Sequence, residues 1–226
     1  EIGDNSYSQI GDILTGDGAT TGDEFGFSVD LSSDGSIAAV SSAQGGDVFV
    51  YQRNGNDWSQ LGDTIEFFDY SSDTKPSSIR KQEAVVKTKI SEDGNYLAIG
   101  SPNTDVGGLN NGLIKVYQNI DNSWVQVGSD ITGQNLGHLG TFVDIEEDNN
   151  GFLTLAAAGT TENSESYVNL YKLINSEWIS FVSKNNKEMN EDLIFQNIKS
   201  IDNSIIDFFE INEFLKGKII FPLISG

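Results

Sequence analysis

Tyr7-Ser8-Gln9-Ile10-Gly11 recurs as Trp58-Ser59-Gln60-Leu61-Gly62, again as Trp124-Val125-Gln126-Val127-Gly128, and in weakened form as Trp178-Ile179-Ser180-Phe181-Val182. Four copies of one phrase at intervals of about 50 to 65 residues read as a repeat architecture, in which each unit buries its apolar face against the next. The residues leading to the second copy form the best-preserved unit. They run Phe25 to Leu31, Ser36 to Ser41, Asp47 to Tyr51, then Trp58 to Leu61. Each segment is short, alternating or β-branched, and bounded by Gly, Asn, Asp or Ser, which is the signature of a strand. Asp34-Gly35 joins the first two segments, as Asp93-Gly94 and Asn149-Asn150-Gly151 do in later units. Such pairs tolerate positive φ and favour a tight hairpin.

The unit is therefore a four-stranded antiparallel meander. The second unit is predicted from Ala84 to Ile90, Tyr96 to Ser101, Leu113 to Gln118 and Trp124 to Val127. The third is predicted from Leu139 to Ile145, Phe152 to Ala158, Tyr167 to Lys172 and Trp178 to Phe181. Leu193 to Ile201, Ser204 to Phe209 and Lys218 to Leu223 supply three strands of a degenerate fourth, and Tyr7 to Ile10 is a last-strand phrase with no unit before it. The expected fold is all-β, a β-propeller of four blades: 25–61, 84–127, 139–181, and 193–224 closed by 7–10. A closed ring leaves no strand edge exposed. The alternative is a separate cap over 185–226, with Ile205 to Leu215 as a short amphipathic helix.

The chain of 226 residues suits one domain, and its 37% hydrophobic and 10% aromatic content excludes general disorder. With 34 acidic against 13 basic residues, the formal charge of -21 disfavours nucleic acid and anionic lipid as partners. Solubility accounts for such a charge; divalent-cation binding by acidic loops is the sharper reading. Without cysteine there is no disulfide framework, thiolate nucleophile or cysteine zinc site. No apolar stretch approaches the roughly 18 residues that read as a membrane span. A chain starting at Glu1 is read as a processed product or an excised domain.

Phe25-Gly26-Phe27-Ser28-Val29 followed by Asp34-Gly35, with Leu97-Ala98-Ile99-Gly100-Ser101-Pro102 and Gly112-Leu113-Ile114-Lys115-Val116-Tyr117 in the second unit, resembles the FG-GAP repeat of integrin-type β-propellers. The likeness is strongest to the W-x-Q-x-G variety of secreted and cell-surface proteins of marine microbes, and it covers residues 7 to about 172. It implies protein or glycan partners met at the loops of the propeller. Two features depart from the family pattern. Ser32-Ser33-Asp34-Gly35 and Ser91-Glu92-Asp93-Gly94 are too short to wrap a calcium ion, which takes roughly 6 to 8 oxygen ligands. The third unit has Leu139-Gly140 in place of Phe-Gly.

Candidate sites follow from the breaks in the repeat. Asp17, Asp23 and Glu24 in a Gly-rich loop could hold a hard cation, although Asp and Gly also serve any solvated loop. Asn103, Asp105 and Asn110 lie in an amide-rich loop suited to sugar hydroxyls or simply to turns. Phe67, Phe68 and Tyr70 fall in an irregular acidic insert before the second unit and are the expected partner contact. His138 has no recognisable nucleophile or second His and reads as a loop residue. The tryptophans recur once per unit and read as packing between blades, the indole N–H bonded locally. No phosphate-cradling loop, nucleophile elbow or HExxH helix is present.

The chain is accordingly expected to be a non-enzymatic recognition or adhesion module, extracellular or at a cell or virion surface, binding protein or glycan through loops. No cofactor is expected, with calcium the single candidate ion. Two alternatives remain. One is a structural subunit of a larger surface or virion assembly. The other is a hydrolase or lyase of extracellular polysaccharide, whose paired carboxylates need spatial rather than sequence proximity.

Overall fold

The computed structural model describes residues 9–16, 24–43, 46–68, 86–106, 108–148, 151–161, 163 and 165–183, the side chains of 181–183 excepted. The described residues form only β-strands and connecting segments, in three antiparallel sheets laid down one after another. The first sheet holds β1 (Phe25–Leu31), β2 (Ile37–Ser42), β3 (Asp47–Asn54), β4 (Asp57–Gln60) and β5 (Ile65–Glu66). The second holds β6 (Lys87–Ile90), β7 (Tyr96–Ser101), β8 (Leu113–Ile120), β9 (Ser123–Gln126) and β10 (Ile131–Thr132). The third is β11 (Phe142–Glu147), β12 (Leu153–Thr160), β13 (Ser166–Ile174) and β14 (Glu177–Ser183). The fourth unit expected over 193–224 lies outside the described residues, as do Tyr7 and Ser8 of the phrase meant to close it.

Each sheet is a meander of consecutive strands, with one refinement that the sequence did not reveal. In the first two sheets the outermost strand is broken: β3 pairs first with β4 and then with β5, and β8 pairs with β9 and then with β10. The break falls at the phrase glycine. Gln60 Nε2 spans it, donating to Gly62 O and Thr64 Oγ1, and Gln126 Nε2 does the same to Gly128 O and Asp130 Oδ1. The Gln of the phrase is thus a brace across the break in the first two sheets.

The central strands β2 and β7 are buried along their whole length, which is why Ile-Ala-Ala-Val and Tyr-Leu-Ala-Ile read as continuous apolar runs rather than as alternation. One core lies between the first and second sheets, around Val48, Val50, Phe67, Ile90, Leu97 and Ile99. Another lies between the second and third, around Ile114, Val116, Leu139, Ile145 and Leu155. The strand β12 alternates buried and half-buried residues because the described residues cover only its inner face. The innermost strands touch across sheets. Asp30 on β1 accepts a hydrogen bond from Ile90 N at 2.8 Å, and Lys89 Nζ sits 3.2 Å from Asp30 and 3.9 Å from Asp144. One ammonium on β6 therefore links β1, β6 and β11.

The predicted Asp-Gly hairpins are present, and each is a closed hydrogen-bond circuit. Ser32 Oγ donates to Asp34 Oδ1 and accepts from Ile37 N, while Ser36 N donates to the same carboxylate oxygen. Ser91, Asp93, Asn95 and Tyr96 repeat this circuit in the second sheet. The carboxylates are therefore committed within their turns. The Ser36 backbone N–H, then the Ser32 hydroxyl, hold the Asp34 carboxyl at about 2, below its ordinary 3.8. Partial burial opposes ionisation of Asp93, but the hydrogen bonds from Ser91 and Asn95 together outweigh it and keep its carboxyl low as well. Because ionised Asp34 is preferred in the folded state, its contribution is fully present above about pH 4 and disappears as pH falls toward 2. D34N should therefore have a flatter melting temperature between pH 4 and pH 2 than the parent chain; equal slopes in paired thermal melts would show that the circuit is not formed in solution.

Candidate functional site

The hairpin between the third and fourth strands of each unit carries the phrase tryptophan, and the indole reaches back to the preceding unit. Trp124 Nε1 donates to Leu61 O at 3.0 Å, and Trp178 Nε1 donates to Val127 O at 3.2 Å. Each indole therefore binds the carbonyl just before the previous phrase's glycine. A Cβ on Gly62 would lie 2.7 Å from Asn122 O and 3.2 Å from Trp124 Cδ1, and the residue has φ +76. Gly11 is held in the same way, its Cβ position 2.5 Å from Asn56 O and 3.1 Å from Trp58 Cδ1. Leu14, three residues on, packs beside Phe25, Phe49 and Trp58. Gly11, which ends the N-terminal phrase, thus meets the tryptophan of the first sheet as Gly62 and Gly128 meet those of the second and third.

Beside two of these contacts the chain parts to leave a cleft. The cleft between residues 12–15 and the first sheet has a volume of about 350 Å³ and is lined by Asp12, Thr15, Tyr51, Asp57 and Trp58 among others. Its counterpart between the first and second sheets, of about 270 Å³, is lined by Asp63, Thr64, Glu66, Tyr117, Ser123 and Trp124. Trp, Tyr and acidic residues recur at matching positions: Asp12 and Asp63 directly follow the phrase glycine, and Asp57 and Ser123 directly precede the tryptophan. Burial and, secondarily, the Asp130 charge push the Tyr117 hydroxyl up to about 12, so it stays protonated as a donor. Tyr51 Oη donates to Thr15 O at 3.4 Å. At the third such junction, between the second and third sheets, Ser129 Oγ donates to Glu177 Oε2 at 2.6 Å. An aromatic wall faced by carboxylates and hydroxyls suits a ligand with one apolar face and several polar groups.

Several residues singled out from the sequence serve other ends. Phe67 was expected at a partner contact, but it is only 1% exposed and belongs to the core between the first and second sheets. Its ring meets Phe68 edge-on at 4.7 Å, and Lys115 Nζ donates to its carbonyl at 3.0 Å. Phe68 is half-buried against the same core, and Tyr70 lies outside the described residues. The loop bearing Asn103, Asp105 and Asn110 is sewn to the following loop rather than spread open. Asp105 Oδ1 accepts from Asn110 N, Asn135 Oδ1 from Leu109 N, and Asn110 O from His138 N. Glu24 is exposed, with φ +54, while Asp17 and Asp23 lie outside the described residues. Among the described residues no group of three or more carboxylates and imidazoles is placed to hold a metal.

His138 occupies the same backbone position as Glu24: φ is +43 and +54, and the glycines two residues on, Gly140 and Gly26, have φ +93 and +92. Trp124 and Trp178 pack between units, as their recurrence suggested, but their indole N–H groups bond to the preceding unit rather than locally. What sequence reasoning missed was the cleft beside them. The signal was available in Val50-Tyr51, Val116-Tyr117 and Leu170-Tyr171, a tyrosine at one position of every third strand.

No protein-family model and no curated protein sequence matches this chain. Solved structures with similarity to it include a candidate 6-phosphogluconolactonase from Bacteroides uniformis, at 15% identity and TM-score 0.41, over 67% of this chain and 38% of that one. A Hadza microbial sialidase is similar at 13% identity and TM-score 0.43, over 71% and 38%. A fucose lectin from Kordia zhangzhouensis is similar at 12% identity and TM-score 0.36, over 68% and 95%. The chain thus spans under two fifths of the length of the first two. The expectation that the chain is not an enzyme is overturned here: enzymes stand among these likenesses beside a lectin, so an arrangement of this kind does not set catalysis aside.

The lock itself is open to test. An alanine at position 62 would carry a side chain into the left-handed region and against the Asn122 carbonyl. G62A should cost about 2 kcal/mol, or roughly 4 to 8 °C in Tm. A thermal melt unchanged within error would mean that the indole does not close over this glycine.

Proposed function

We propose that the chain is a four-bladed β-propeller of FG-GAP type that recognises glycans in the clefts between its blades. The observation that carries the glycan reading is the recurrence of Trp, Tyr and an acidic residue at matching positions of two clefts. A sugar presents a C–H face to an aromatic ring and hydroxyls to carboxylates, and both partners are supplied at each junction. The loops that first suggested themselves are occupied by their own hydrogen bonds, which moves the reading from loop face to cleft.

Support for a further blade comes from the first sheet. Leu31 and Ile90 both directly precede the Ser-x-Asp-Gly turn, yet Leu31 is 52% exposed and Ile90 1%. Phe27 and Val86, four residues earlier in each unit, are 40% and 0% exposed. Positions that are core in the second unit are thus open in the first among the described residues. A blade packed there would take Leu14 and the docked N-terminal phrase as its outer strand.

Removal of residues 1–12 takes away the docked phrase with Gly11. It should lower stability by on the order of 2 to 4 kcal/mol, and an unchanged cooperative melt would sink the closure by this strand. The glycan reading is tested on an array, run once in calcium and once in chelator, with the same glycans assayed for release of reducing sugar. Binding in both conditions is expected. Absence of any bound glycan in either condition overturns the reading, and release of product would make the clefts catalytic rather than purely binding.

A further inference from the structure

Building on the glycan reading, we propose that the two residues flanking each cleft, one after the phrase glycine and one before the tryptophan, decide which junctions take a sugar, and that the third junction is closed by its own side chains. The pairs are Asp12 with Asp57, Asp63 with Ser123, and Ser129 with Glu177. The first two pairs line the open clefts. In the third, the order of hydroxyl and carboxylate is reversed relative to the second, and the two groups bond to each other: Ser129 Oγ donates to Glu177 Oε2 at 2.6 Å. That length is typical of a hydroxyl on an ionised carboxylate.

The bond matters because it is the one a sugar would make. A glycan hydroxyl entering the second cleft meets the carboxylate of Asp63, with the Ser123 hydroxyl lining the same space. At the third junction the residue in the place of Ser123 is Glu177, and its carboxylate is already taken by the protein's own Ser129 hydroxyl. Tryptophan and tyrosine are both retained there, as Trp178 and Tyr171, and the indole keeps its bond to Val127 O. The third junction therefore preserves the lock between units while giving up the site. Two open clefts on successive units make the described residues bivalent toward a surface carrying closely spaced sugars, where linked binding raises the effective affinity.

The three indole N–H signals report each junction separately in nitrogen-labelled protein, assigned by replacing each tryptophan in turn with phenylalanine. The probe is a panel of methyl glycosides covering neutral hexoses, 6-deoxyhexoses and N-acetylhexosamines, titrated to millimolar concentration. The expected result is a saturable shift of the Trp58 and Trp124 signals with the Trp178 signal unmoved. D63N should weaken the Trp124 response about tenfold and leave that of Trp58 unchanged. The double substitution S129D with E177S places the second junction's pair on the third, and the Trp178 signal should then respond.

A Trp178 response in the parent chain would overturn the proposal, as would a folded double variant in which Trp178 remains silent. Glycosides that bind, by saturation transfer from protein to sugar, without moving any indole would overturn the cleft assignment while leaving glycan recognition standing. If no glycoside binds, both readings fail together.

Discussion

Among the described residues, the boundaries between the three sheets are each closed by one contact, an indole laid over a glycine with its N–H on the carbonyl just before it. The contact needs both partners in special form. The glycine must have positive φ and no side chain, since at Gly62 any Cβ would press on the Asn122 carbonyl. The ring must be long enough to cross from one sheet to the next and must end in a donor. Tryptophan alone combines a large apolar body with an N–H that only donates. A phrase that carries both halves, Trp at its start and Gly at its end, binds the unit behind it through its indole and receives the indole of the unit ahead on its glycine. Repetition follows from that: one phrase per sheet is enough to build a stack of sheets.

The same contact explains the clefts. The broken outer strand, braced by the phrase glutamine, swings away from its neighbour between β4 and β5 and between β9 and β10. The tryptophan holds one edge of the gap and the tyrosine of the third strand holds the floor. Residues beside these two are free of packing duty and can change without cost to the fold, which is why Asp, Ser and Glu exchange places there from unit to unit. At the third junction the residues in these two places, Ser129 and Glu177, are hydrogen-bonded to each other.

Electrostatics enters locally rather than through the net charge of -21. Two hairpin aspartates accept hydrogen bonds from serine hydroxyls and backbone N–H groups within their own turns. Near the centre, Lys89 is shared between Asp30 and Asp144, one cation among the charges of three inner strands. Such a half-exposed pair adds little to stability by itself. It marks the place where the three inner strands approach one another.

The sequence by itself determined the strands, their order, the hairpin turns and the unit length, because each of these rests on preferences acting over a few residues. Alternation placed β1 and β11, continuous apolar runs placed β2 and β7, and Asp-Gly placed the turns between them. It also foretold that the tryptophans pack between units. Tertiary structure alone decided the rest. Phe67 looked like a surface aromatic in an acidic insert, yet the chain after β5 returns to the sheet and buries it under Lys115, far ahead in sequence. The short strands β5 and β10 exist only because β3 and β8 run on past the break. The clefts join residues such as Asp63 and Tyr117, which share no local pattern and meet only after the sheets have packed. Local backbone preference cannot encode such a meeting, because it is set by the register between neighbouring units, and that register is fixed only when the indole closes on its glycine.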